Sequence, residues 1–234
     1  TAMRAQRQKV KLMESGGADK DEVMLHKAKY QAQLGEYARF SKRMGLKQQR
    51  ERIYFDMRGR VAPRSLKAVK QFPPEMIQNT GRDIAQYRRY KNVLGKSIGS
   101  LAEFGRMKYN DDKKWKDIKE AYTDINWQRK ALVNRTKGTV HSVPYMGTPN
   151  SVFDNYKDGV IQSRRYYGKD GKPKLDIDMS DHGNAKEHPV VPHYHNWYLT
   201  NKGTLKRESK HDNTLKLGHK IANSDILSEV MKDD

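Results

Sequence analysis

The chain has 234 residues, 35% of them hydrophobic and 32% charged, with a net charge of +19. The apolar share lies below the roughly 45–50% of ordinary globular domains, so the core must be small and part of the chain must be extended helix, arm or linker. The absence of cysteine excludes disulfides, cysteine-ligated zinc and thiol catalysis, no apolar run approaches the roughly 18 residues of a membrane span, and the first residues lack a hydrophobic signal core.

The start at Thr1 reads as a fragment boundary. The charge is unevenly spread. Residues 138–234 hold 14 Lys+Arg and 13 Asp+Glu, which leaves 33 and 15 for residues 1–137, an excess of 18. Histidine runs the other way: seven of eight lie after position 138. The expected fold class is α+β, a basic all-helical N-terminal region followed by a small C-terminal α+β module containing a β-hairpin. The expected divisions are a basic helical tail (1–65), a helical region or linker (66–137) and a histidine-rich module (138–234).

Residues 3–14 read as a basic helix ended by Gly16–Gly17, with Asp19 or Asp21 capping the next. Tyr30, Leu34, Tyr37 and Met44 form one apolar stripe that ends at Gly45. Residues 48–60 have helical polarity before a strand-like Ile53–Phe55. Pro73–Pro74 marks a break, and 75–107 read as helix weakened by Gly95 and Gly99. Asn110–Asp111 starts the best-patterned helix, with Trp115, Ile118, Tyr122, Ile125 and Leu132 on one face, a core-facing stripe.

Beyond Gly138 the pattern changes. Val140–Tyr145 is a candidate strand and Pro149–Asn150 a turn. Val160–Tyr167 and Leu175–Met179, joined through Asp170–Gly171, give the strongest hairpin signal, since Leu175, Ile177 and Met179 alternate with Asp176, Asp178 and Ser180. Residues 201–220 read as polar loop, and Ser224 caps a short helix.

The segment 181–200 packs four histidines into fourteen residues. His193 and His195 fall on one face of a strand, about 7 Å apart along it. Three readings compete. One is a polar loop with scattered histidines. Another is a divalent-metal site built on His193, His195 and Asp181. The third, the leading one, is metal-independent phosphodiester cleavage, with His182, His188, His193 and His195 as acid and base and Arg164 stabilising charge. Arg165, Lys169, Lys186, Tyr167 and Trp197 are the candidate substrate-binding groups. Strand alternation lets only one of Arg164 and Arg165 face a cleft beside the sheet. The basic N-terminal field points to a polyanion partner, DNA, RNA or an acidic protein surface. There is no Walker loop, HExxH or GxSxG.

The stretch KAKYQAQLGEYARFSKRMGLKQQRERIYFDMRGRVAP (27–63) resembles the C-terminal end of minor capsid, or head morphogenesis, proteins of tailed bacteriophages of Gram-positive hosts. The resemblance rests on the Lys/Gln-rich helix, Tyr37, Phe40–Ser41–Lys42, Gly45–Leu46, Gln49–Arg52 and Gly59–Arg60. It implies a virion protein packaged in the phage head, with portal and head proteins as partners. The segment 166–197, with its hairpin, Asp–His–Gly–Asn and Pro–His–x–His–x–Trp, looks like the toxin modules of the polymorphic-toxin type appended to such chains, among them ribonucleases of the barnase/EndoU/colicin-like class. That likeness implies a nuclease acting in the host cytoplasm and a cognate immunity or inhibitor protein. The alternative is a non-enzymatic head protein that contacts DNA or the portal region, its C-terminal module docking a protein partner.

Overall fold

The structure is a computed structural model that describes residues 2–43, 71–181, 183–209 and 213–230. Met44–Gly45, the 48–60 stretch with its strand-like Ile53–Phe55, the whole second half of the 27–63 stretch and His182 lie outside the described residues. The chain forms two compact units, Thr1–Ile118 and Lys119–Asp234.

The first unit is helical: α1 (Ala2–Ser15), α2 (Lys20–Arg43), α3 (Pro74–Gln78), α4 (Thr80–Leu94), a 3-10 turn (Gly95–Ile98) and α5 (Leu101–Asn110). Asp19 caps α2 as expected, its carboxylate accepting from the backbone N–H of Asp21 and Glu22. The single helix expected over 75–107 is broken twice. The second break is chemically legible, because Ser100 and Glu103 form a reciprocal capping box that starts α5. Tyr87, Tyr90, Phe104 and Trp115 pack their rings together beneath it. The buried Asp83 carboxylate accepts from Lys108 at 2.6 Å and Tyr109 at 2.7 Å.

Helix α6 (Asp112–Leu132) crosses the boundary between the units. The second unit begins within this helix. It continues through β1 (Arg135–Gly138), β2 (Val152–Lys157), β3 (Val160–Tyr167), β4 (Pro173–Asp178), β5 (His193–Leu199), β6 (Leu205–Arg207), α7 (Leu217–Ala222) and α8 (Ser224–Val230). The strands make one sheet in sequence order, with β1 parallel to β2 and every later pair antiparallel. The expected α+β class is thus what the structure has.

Two tight turns build the meander. Asp158 and Gly159 both have positive φ, 52° and 79°, between β2 and β3, the left-handed pair that a two-residue hairpin needs. The β3–β4 turn has Gly171 at φ 74°, with the Asp170 carboxylate accepting from Lys172 N–H. A β-carbon on Gly171 would stand 2.5 Å from the Gly147 carbonyl oxygen, so only glycine lets the 139–151 segment close on this turn. Val140–Tyr145, expected as a strand, belongs to that segment. Pro144 lacks the N–H a ladder requires, and the Val143 and Pro144 carbonyls instead accept from Arg165.

One face of the sheet carries the apolar core. Val152, Ile161, Tyr166, Leu175, Ile177 and Tyr194 pack against Ala131 of α6 and Ile226 of α8. The same face buries Arg164, whose guanidinium bonds Asp154 at 2.7 and 3.0 Å, Asp225 at 2.8 and 2.9 Å and Asn223 at 3.1 Å. Burial alone would lower the Arg164 pKa, but the hydrogen bonds to Asp154 and Asp225 outweigh it and hold it above the ordinary guanidinium value. The 201–220 stretch, expected as loop, supplies β6 and α7.

His219 of α7 is buried against the Tyr194 ring. Burial lowers its pKa to about 4, with Asp124 opposing that fall and Lys216 adding to it. Its neutral form is therefore favoured in the folded unit. The stability gained is full above pH 6.5 and is lost as pH falls from 6.5 to about 4, because the unfolded chain takes up the proton first. Urea unfolding of the second unit should lose on the order of 1–3 kcal/mol from this residue between pH 7 and pH 4.5. A His219→Leu variant should show a shallower pH dependence over that window; an unchanged slope would refute the assignment.

Candidate functional site

The other face of the sheet holds the candidate site. In the antiparallel register Asp178 lies opposite His193, Asp176 opposite His195, and Arg165 opposite Asp176. Directly opposed residues share a face, and successive residues alternate. Tyr194 therefore faces the core with Ile177, while His193, His195 and Trp197 face away from it. The arginine beside the histidines is accordingly Arg165. Arg164, expected as a catalytic charge, is on the opposite face and consumed by Asp154 and Asp225, so it has no place in the site.

His188 arrives from the loop before β5. Asp181 starts that loop by accepting from Gly183 N–H through its carboxylate and from Asn184 N–H through its carbonyl. The Asn184 carbonyl then accepts from His188 N–H. The result sets His188 Nδ1 3.3 Å from His193 Nε2. Asp178 Oδ2 lies 3.6 Å from His193 Nε2 and 3.5 Å from His195 Nε2. His195 Nδ1 is 2.8 Å from the Glu208 carbonyl oxygen. A carbonyl can only accept, so Nδ1 carries the proton and the Nε2 lone pair is turned toward Asp178 and His193.

Two arginines close the cluster. Arg165 makes a two-pronged bond to Asp176, 2.8 Å on each prong, and its guanidinium lies 4.9 Å from the centre of the Trp197 ring. Arg207 donates to Asp176 at 2.9 Å and also pairs with Asp178. His193 and His195 are fully buried and His188 nearly so. The Arg207 side chain keeps 31% exposure, which makes it a point where the cluster meets solvent. Burial first, then Arg207, lowers the His195 pKa to about 4, against a rise from Asp178. His195 is therefore neutral at pH 7, suited to ligate a metal, weakened as a proton acceptor and unsuited to deliver a proton.

Of the residues singled out from sequence, His188, His193 and His195 come together, with Arg165 beside them. Asp181, the alternative metal ligand, is engaged in capping its own turn, and His188 stands in the place expected for it. Lys186 is exposed on the loop. Tyr167, Lys169 and Trp197 line a separate groove of about 530 Å³ that also contains Trp127, Lys130, Lys172, Lys174 and Tyr198. There Lys174 Nζ sits 4.0 Å from the Trp127 ring centre. Trp197, at the groove wall, also carries the Arg165 guanidinium.

Sequence reasoning missed Asp176, Asp178, Arg207 and the Glu208 carbonyl. The two aspartates were visible as the polar half of the Leu175–Met179 alternation. Their meaning depended on what covered the second face. Comparison with protein-family models, curated proteins and solved structures finds no match to this chain.

Proposed function

We propose that this is a basic phage-head protein whose second unit cleaves nucleic acid, RNA foremost, at the His188–His193–His195 cluster. The observation that carries this reading is convergence: three histidines, two aspartates and two arginines meet on one sheet face. Arg207, partly exposed, is the group that meets a substrate phosphate, with Arg165 behind it. In cleavage of RNA, the 2′-hydroxyl loses its proton to a neutral histidine as its oxygen bonds phosphorus. The bond from phosphorus to the 5′ oxygen breaks, and another histidine of the cluster, His188 or His193, hands that oxygen a proton as it leaves. The arginines offset the charge that builds on phosphorus. The lysine-and-aromatic groove suits a single strand, since lysines follow the backbone and rings stack on bases. The charge excess before 138 and the likeness of 27–63 to minor capsid proteins support the virion part of the reading.

The complete burial of His193 and His195 favours a second reading, a non-enzymatic head protein that contacts DNA or the portal region, with the histidines as packing groups. The two separate in one assay. The purified chain is incubated with single-stranded RNA and with DNA, with and without divalent ions, and the products are sized. Shortened RNA supports the nuclease; a folded chain that leaves both polymers intact under every condition overturns it.

A further inference from the structure

We infer that His188, His193 and His195 form a binding site for one divalent transition ion of the zinc type, an inference that rests on the reading of this cluster as the reaction centre and gives the histidines the role of ligands, so that ion-bound water, and not a histidine, takes the 2′ proton. Three observations carry it. Each histidine offers one ring nitrogen, and the three lie within 4.8 Å of one another. In a tetrahedral zinc site with ligands at about 2.0–2.1 Å, neighbouring donor atoms stand about 3.4 Å apart. The His188 Nδ1–His193 Nε2 separation is 3.3 Å, and Asp178 Oδ2 stands 3.5 and 3.6 Å from the Nε2 atoms of His195 and His193. The His188–His193 pair and Asp178 already stand at that spacing, and the three histidines, within 4.8 Å of one another, close the remainder on binding.

The second observation is orientation. The Glu208 carbonyl holds the His195 Nδ1 proton, so Nε2 presents its lone pair to the cluster. A ligating histidine ordinarily has its other nitrogen held in this manner. The third is donor chemistry. Imidazole nitrogens with one carboxylate oxygen in reach select a zinc-type ion over magnesium or calcium, which take oxygen ligands.

The local charges determine how the ion enters. Arg165 and Arg207 already balance Asp176 and Asp178, so a divalent ion adds charge to a buried place. Arg207 is the partner that can withdraw, because its side chain is partly exposed. On binding, it gives up Asp178 and keeps Asp176, and the carboxylate turns to the ion. Three histidines and Asp178 then fill the tetrahedral positions, and a water or a phosphate oxygen enters as a fifth ligand.

The test uses the full chain, stripped with a strong chelator and dialysed. Zn²⁺ is titrated by calorimetry and Co²⁺ by visible absorption, which reports ligand geometry directly. One ion per chain is expected, with the intense absorption of tetrahedral Co²⁺. His188→Ala and His193→Ala should each weaken binding at least 100-fold, and His141→Ala should leave it unchanged. Arg207→Ala should tighten it. His188→Ala guards against misfolding as the cause of loss, since its side chain comes from the loop and not from the sheet; circular dichroism confirms the fold. No binding by the folded chain, or binding that the two histidine substitutions leave intact, overturns the site. Cleavage by the stripped chain with no ion bound would overturn the ion's part in the reaction and spare the nuclease. Tight binding with no cleavage would do the reverse.

Discussion

Asp154→Ala should lower the stability of the second unit by about 3–5 kcal/mol, the loss typical when one partner of a buried ion pair is removed. Asp154 and Arg164 are both fully buried. Asp154 accepts two hydrogen bonds from Arg164 and also pairs with Arg135. Without it, Arg164 keeps Asp225 and Asn223 on one side and leaves the Nε side of its fork in a low-dielectric layer against Tyr166 and Ile177. The guanidinium cannot shed its charge to escape, as a lysine could. Urea unfolding at pH 7 checks the figure. A double substitution, Asp154→Leu with Arg164→Met, should recover most of the loss, because it removes both charges and fills the space with apolar atoms. A loss below about 1 kcal/mol for Asp154→Ala would mean that water reaches Arg164.

His193→Ala should reduce nucleic-acid cleavage at least about 1,000-fold, the scale seen when a residue acting as part of a catalytic unit is removed. His193 is the middle member of the cluster, next to His188, His195 and Asp178 at once. Whether the histidines move protons or hold an ion, the centre does not survive its removal. Lys186→Ala, on the same loop but exposed, should stay within about twofold of the parent chain. The rates are measured under single-turnover conditions, with circular dichroism on each variant. Comparable losses for both substitutions would point to the loop as a whole and not to the cluster.

The amino-acid pattern revealed the classes of element better than their partners. The α6 stripe was readable because helical periodicity reports burial on a single face. The β3–β4 hairpin was readable because Asp170–Gly171 sits between alternating segments. The same signal at Asp158–Gly159, between β2 and β3, went unread because Val152–Lys157 does not alternate cleanly. Its inner face contains Asp154, a charge in a place where the pattern expects an apolar residue. The site was half legible. His193–Tyr194–His195 declares a shared face, and strand alternation makes the choice between Arg164 and Arg165 exclusive. Which arginine it would be depended on register, and that register, of β3 on β4, depends on the turn between Tyr167 and Pro173. Arg207 and Glu208 were beyond reach, since only the pairing of β6 with β5 brings them to the histidines.

The doubled pairs in β3, Arg164–Arg165 and Tyr166–Tyr167, bear on how faithfully this sheet can assemble. If β3 slid by one residue along β4, the apolar face would again receive an arginine followed by a tyrosine. That face alone would hardly distinguish the two arrangements over this stretch. Rejection of the error falls on Ile161, whose slot would receive Gln162, and on Asp176, which would find Tyr166 where Arg165 belongs. Asp176 would keep Arg207 but lose its two-pronged bond to Arg165, one of its two charged partners, which disfavours the misaligned sheet. Asp176, beneath the histidines, therefore also favours the register in which the strand that carries the site's arginine is threaded correctly.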